Sequence, residues 1–180
     1  MSLRLLTRTR RRAFTLIEVL IVVVIVGILA ATVLPGVIGL KREAGETALK
    51  QNLKQVHHAI HRYSLTHGDV LPGQVTDGTF PPSDEQCFVR QLSMWTTSKG
   101  LVVSGPDVDG ALCPLLTNRI PICTVGLMSG RSRILIVNVN ERITADPDST
   151  HAWKYNRFDG AFICNSKELT EDEKNSYDEW

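Results

Sequence analysis

One carboxylate in this chain stands where a carboxylate is expensive. Glu18 lies a helical turn into the apolar run Phe14–Leu34. At membrane depth an ionised acid costs on the order of 3 kcal/mol. A segment needed only as an anchor would carry Leu there. An acid kept at that depth needs a cation, and cutting the chain just before Phe14 would create one as a new amino terminus. The other chemistry-bearing residue types form looser groups. His57 and His61 lie one turn apart on a helix, the spacing of a paired-His metal site. A zinc-protease helix would place Glu after the first of them, where this chain has His58. No acid or Cys nearby completes a ligand set, so the three read as solvent-facing or packed helix residues. Cys87, Cys113, Cys123 and Cys164 are even in number and allow three pairings. None has the two-residue spacing of a zinc knuckle or a thioredoxin-like motif. Disulfides and buried free thiols both stay open.

Asp146, Asp148 and Ser149, around Pro147, offer oxygen ligands that would suit calcium, but they read better as a solvated acidic turn. Gly100 and Gly105 have P-loop spacing, but Pro106 and Asp107 stand where Lys and Ser or Thr are required. With no nucleophile elbow, paired catalytic carboxylates or dinucleotide fingerprint, no catalytic residue is expected, no metal ligand is assigned, and the chain reads as a non-enzyme.

These groups are positioned by a simple plan. The apolar run holds about 21 residues, where roughly 20 suffice to cross a bilayer as a helix. Ahead of it, residues 1–13 hold Arg4, Arg8, Arg10, Arg11 and Arg12 and no acid. Removing them from a chain of net charge +1 leaves a mature chain of −4. That asymmetry is a topological signal and gives no reason to expect nucleic-acid binding. Against Lys41 and Arg42 after the run, it places the N-terminus in the cytoplasm and the body outside. An ordinary secretory signal is shorter, lacks such a Glu, and would need a better site than Leu29-Ala30-Ala31. A twin-arginine signal, suggested by Arg11-Arg12, would be less apolar.

The expected divisions are a leader at 1–13, a transmembrane or assembly half-helix at 14–34 and an amphipathic half-helix at 35–67. A globular body at 68–166 and an acidic, frayed tail at 167–180, with Trp180 as a residue able to dock, follow. Leu49, Leu53, Val56, Ile60 and Tyr63 recur at helical spacing, with Glu46 and Lys50 paired on the opposite face. His67-Gly68-Asp69 stops that helix. Residues 85–99 predict a short helix, Leu101–Val103 a brief strand and Ile134–Asn140 the best strand. Residues 152–157 and 160–165 flank Asp159-Gly160 as a hairpin whose Trp153, Tyr155 and Phe162 cover the helix. The fold class is α+β: a long N-terminal helix whose second half packs on a small antiparallel sheet of three or four strands.

The segment Arg11-Arg12-Ala13-Phe14-Thr15-Leu16-Ile17-Glu18, with the apolar run to Pro35, closely resembles the N-terminus of type IV pilins and type II secretion pseudopilins. With Phe14 as first mature residue, Glu18 is the fifth and Pro35 the twenty-second, both at the family's places. The departure is Ala13, where the family usually has Gly. Looser fragments extend the likeness. Trp153-Lys154-Tyr155, Gly160-Ala161-Phe162 and Asn165 resemble the C-terminal hairpin of major-pseudopilin-like proteins. Cys113-Pro114-Leu115-Leu116-Thr117-Asn118 is similar to the Asn-Pro-Leu-Thr stretch before it, with Cys in place of Asn.

The resemblance implies cleavage between Ala13 and Phe14 by a prepilin peptidase, N-methylation of Phe14 and assembly guided by Glu18. Gly27 and Pro35 would weaken the helix for packing. Implied partners are other pilin-like subunits and an inner-membrane assembly platform. The implied location is the inner membrane, single-pass, with a periplasmic C-terminal domain. No cofactor is implied beyond the calcium that related major pseudopilins often carry. The expected role is a structural subunit of a type II secretion pseudopilus. The alternatives are a minor type IV pilin for adhesion, motility or DNA uptake, and an exported or membrane-anchored enzyme or binding protein with only a signal at its N-terminus.

Overall fold

The computed structural model describes residues 14–117, 119–146 and 150–180, with backbone alone for 33–39. It divides into two compact units, one ending at Lys41 and the other spanning Arg42–Trp180. A single helix, α1 (Leu16–Thr66), contributes to both. It runs through Gly27 and Pro35, so neither residue ends the helix, although Pro35 has no N–H to give to the ladder. The helix opens on Thr15, whose hydroxyl accepts the Glu18 amide at 3.3 Å while the Glu18 carboxylate accepts the Thr15 amide at 3.4 Å. That reciprocal pair is a capping box.

In the body, the second half of α1 buries the expected stripe of Leu49, Leu53, Val56, Ile60 and Tyr63. Helix α2 (Glu85–Ser93) is capped by Asp84, whose Oδ1 accepts the Gln86 amide at 2.7 Å. It buries Cys87, Phe88, Gln91 and Leu92. It stops short of the expected end at residue 99, because Met94 is extended and Trp95–Thr96 leave as strand β1. β1 pairs antiparallel with β2 (Val102–Val103).

The second sheet joins β3 (Ile134–Val137), β4 (Trp153–Asn156) and β5 (Phe162–Cys164), with β4 in the middle. β4 and β5 form the expected antiparallel hairpin, pairing Trp153 with Cys164 and Tyr155 with Phe162. Its turn is longer than a two-residue Asp-Gly turn. Gly160 adopts φ +79°, and a Cβ there would lie 3.1 Å from the Leu71 side chain. Glycine meets both demands at once.

The sheet departs from the antiparallel expectation, since β3 runs parallel to β4. The connection between them, roughly 15 residues, is long enough for a crossover, which a parallel pair requires. β3 also ends at Val137, before the expected Asn140. The buried Asn156 amide takes over there, accepting the Val139 N–H at 3.1 Å and donating to its carbonyl at 2.9 Å.

The core closes between the helix stripe and the hairpin. Trp153 stacks on Phe162 with ring centroids 5.2 Å apart and donates its Nε1–H to the Pro121 carbonyl at 2.8 Å. Phe88 packs on Tyr155 at 4.3 Å, and the Tyr155 hydroxyl donates to the Pro72 carbonyl at 3.0 Å.

The tail corrects a second expectation. It is folded onto the body, with Tyr177 buried and a 3₁₀ turn at Tyr177–Glu179 fixed by a Ser176–Glu179 capping box. The Tyr177 hydroxyl donates to Glu46 at 2.9 Å, and Arg42 donates to the Leu169 carbonyl at 2.8 Å. The Lys50 ammonium stands 4.0 Å above the Trp180 ring. These contacts redirect the helix charges. Glu46 pairs with Arg42 at 3.7 Å, where sequence spacing had favoured Lys50.

Candidate assembly segment

From Phe14 to Thr32 the helix is apolar on all sides but for Thr15, Glu18 and Thr32. Every side chain from Phe14 to Thr32 is exposed, with Phe14 at 73% and Leu16 at 84% of full exposure. So long an apolar surface left bare in a single chain marks an interaction site. The lone acid in it is Glu18. Its carboxylate is occupied locally, receiving the Thr15 amide and hydroxyl, each at 3.4 Å. The sequence reading missed this use of Glu18, although the Thr-x-x-Glu signal for it was present.

Gly27 lies in open space on the helix, with nothing within 4 Å of a Cβ placed there. Ala13 falls outside the described residues, as does the Pro35 side chain. Among the described residues no helix is long and apolar enough to cross a membrane. Exposure is described only as far as Thr32, short of the end of the apolar run at Leu34. The expected span over 14–34 is therefore not shown.

The other sequence candidates scatter. His57 donates from Nε2 to the Phe162 carbonyl at 2.6 Å and so serves as a helix-to-hairpin tie. His58 and His61 are exposed on α1. No group of three His, Cys, Asp or Glu side chains that could hold a metal occurs among the described residues. Asp146 gives its amide to Asn165 Oδ1 at 2.7 Å, while Asp148 and Ser149 lie outside the described residues. No two of the four cysteines are bonded to each other in this structure. Burial pushes the Cys87 thiol up to about 11, and its S–H meets the Val75 carbonyl at 3.3 Å. Cys113 is exposed. Cys123 and Cys164 are buried against each other.

One buried titratable group went unnoticed in the sequence, where His67 served only as a helix stop. Its ring stacks on Tyr63, with centroids 3.6 Å apart and planes 8° from parallel. Nδ1 donates to the Tyr63 carbonyl at 2.8 Å, which leaves Nε2 to accept from the Thr96 hydroxyl at 3.1 Å. Both nitrogens are satisfied in the neutral ring, and burial lowers the His67 pKa below its ordinary 6.5. In the unfolded chain the ring takes up a proton first. Stability is therefore full above about pH 6.5 and falls as the pH drops below it toward the folded-state value. Urea midpoints measured from about pH 7 down to about pH 5 should decline, and His67→Gln should flatten that part of the slope. An unchanged slope in the variant would assign the pH dependence elsewhere.

A bare apolar helix segment with an acid near its start, continuing into the helix that cores a small α+β body, defines a class: a pilin-like protein. The comparisons with known proteins agree. A family model described as the prokaryotic N-terminal methylation motif matches residues 8–34. Type II secretion system core protein G of Pectobacterium carotovorum subsp. carotovorum is 36% identical over 108 residues, 53% of this chain and 69% of that protein. The protein of that name from Dickeya chrysanthemi is 34% identical over 108 residues, 53% of this chain and 71% of the relative. That of Escherichia coli (strain K12) is 27% identical over 112 residues, 57% of this chain and 77% of the relative. No solved structure matches. The chain belongs to the type II secretion system core protein G family.

Proposed function

We propose that this protein is a structural, non-enzymatic subunit of a type II secretion pseudopilus, held in the inner membrane by residues 14–34 until it polymerises through them. The observation that carries the reading is the bare apolar surface from Phe14 to Thr32 with Glu18 as its single acid. In lipid that surface is solvated by acyl chains. In a filament it is covered by the same segment of neighbouring subunits, so moving between the two settings sacrifices little burial. The basic leader keeps the N-terminus on the cytoplasmic side, where a prepilin peptidase would cut after Ala13 and a methyl group would be placed on the Phe14 amine. The body then folds outside the membrane, where other pilin-like subunits and the assembly platform meet it. No cofactor is needed for this role. The names of the relatives favour secretion over a pilus for adhesion, motility or DNA uptake.

Processing tests the reading most directly. Mass spectrometry of the mature protein should give a chain that begins at Phe14 and carries one N-terminal methyl group, and Ala13→Leu should leave uncut precursor in the membrane. A mature chain beginning beyond Ala31 would mean that the apolar run is only a signal, and the subunit reading would fall.

A further inference from the structure

We propose that Cys123 and Cys164 are joined by a disulfide in the exported protein, while Cys87 and Cys113 remain thiols. The inference rests on the reading above that the body lies outside the inner membrane, where oxidation is permitted. The two Sγ atoms are 3.8 Å apart, and both residues are wholly buried. Backbone holds each of them in place. Cys164 ends β5 opposite Trp153, in the hairpin pair furthest from the turn. Cys123 exchanges two backbone hydrogen bonds across a turn, donating to Arg131 at 2.7 Å and accepting from Gly130 at 2.8 Å. The sulfurs need only approach by the difference between a contact and a bond of about 2.0 Å. Neither remaining cysteine is placed to compete, with Cys87 bonded to Val75 behind α2 and Cys113 exposed on a loop.

The chemistry is a thiol–disulfide exchange with a disulfide oxidant, either an oxidase protein or a small disulfide. The Cys123 thiolate attacks one oxidant sulfur, forming a mixed disulfide and expelling the other sulfur as a thiolate. Cys164 loses its proton to solvent and attacks the Cys123 sulfur, and the second oxidant sulfur leaves. The protein loses two electrons and two protons, and the oxidant ends as a dithiol. Either cysteine can take the first step in the same way. Since both sulfurs are sealed in the finished core, the bond forms before the core closes and is then sheltered from reductants. It spans 41 residues of sequence and pins the segment around Pro121–Arg131, which receives the Trp153 indole, to the hairpin.

The test uses the full chain, expressed in an exporting host and extracted in detergent, one part for thiol titration and one part alkylated for mapping. Denatured protein should titrate two thiols, and non-reducing peptide mapping should join the Cys123 and Cys164 peptides. Dithiothreitol, which reaches the bond once heating opens the core, should lower the apparent melting temperature by roughly 10 °C. Cys123→Ala combined with Cys164→Ala should start lower and ignore the reductant, and if that variant does not fold, the wild-type titration still decides. Four titratable thiols in a chain whose body is digested by protease added outside the inner membrane would overturn the pairing. A body protected from that protease would overturn the export reading instead. In that case the reduced chain, refolded with oxidised glutathione, decides: a Cys123–Cys164 link supports the pairing, and no link or one through Cys87 or Cys113 overturns it.

Discussion

Trp153→Ala should cost the body about 3–5 kcal/mol, the usual result of deleting a large buried aromatic. The side chain is 0% exposed and stacks on Phe162. Its truncation would open a void between the hairpin and the helix stripe and leave the Pro121 carbonyl without its 2.8 Å donor. Loss of that buried hydrogen bond adds to the void, which places the expectation in the upper part of the range. Trp153→Phe keeps most of the packing but not the donor, so comparing the two variants separates the contributions. The measurement is urea denaturation of Arg42–Trp180. An unchanged midpoint for Trp153→Ala would mean that the hairpin does not close the core.

Glu18→Ala and Glu18→Gln should both cut incorporation into filaments by about a hundredfold or more, while membrane insertion and cleavage continue. In the growing polymer the proposed partner of Glu18 is the Phe14 amine of a neighbouring subunit, in a setting of low dielectric. Breaking a buried ion pair by removing one member costs on the order of 3 kcal/mol or more, which is about two decades in affinity. The two variants also separate charge from local structure. Glutamine at the third helical position preserves a capping box with Thr15, and alanine does not. Failure of both variants identifies the charge as the requirement. Assembly by Glu18→Gln alone would reduce Glu18 to a helix cap. Normal assembly of Glu18→Ala would remove the main physical support for polymerisation through this segment. Cysteine cross-linking between subunits gives the readout, with secretion of a reporter cargo measured beside it.

The elements that were legible in the sequence are those whose signal is local and periodic. Leu49, Leu53, Val56, Ile60 and Tyr63 declare a buried helix face by spacing alone, and all five are buried. Trp153, Tyr155 and Phe162 around Asp159-Gly160 declare a hairpin, and β4 and β5 form it. What could not be read depends on distant partners. The direction of β3 is set by how its long connection returns to β4, and nothing within Ile134–Val137 encodes it. The tail looked frayed because its charges dominate the composition. Tyr177 and Trp180 are held by Arg42, Glu46 and Lys50, more than a hundred residues earlier. The N-terminal segment was read by its apolar run and its single acid, yet the Thr15 cap on that acid escaped notice because polymer assembly gave Glu18 a fuller explanation.

The docked tail also bears on timing. A chain is made from its N-terminus, and domains generally fold as units once their parts have emerged. In this body the helical turns from Arg42 to Lys50 find their partners in residues 169–180, more than a hundred positions later. Until that segment has been made, the Tyr177 site on the core is open and Glu46 lacks its hydroxyl partner. Closure of the body therefore comes late in its synthesis. A chain that lacks residues 169–180 presents a body whose opening helix is uncovered, the state in which quality-control proteases act best.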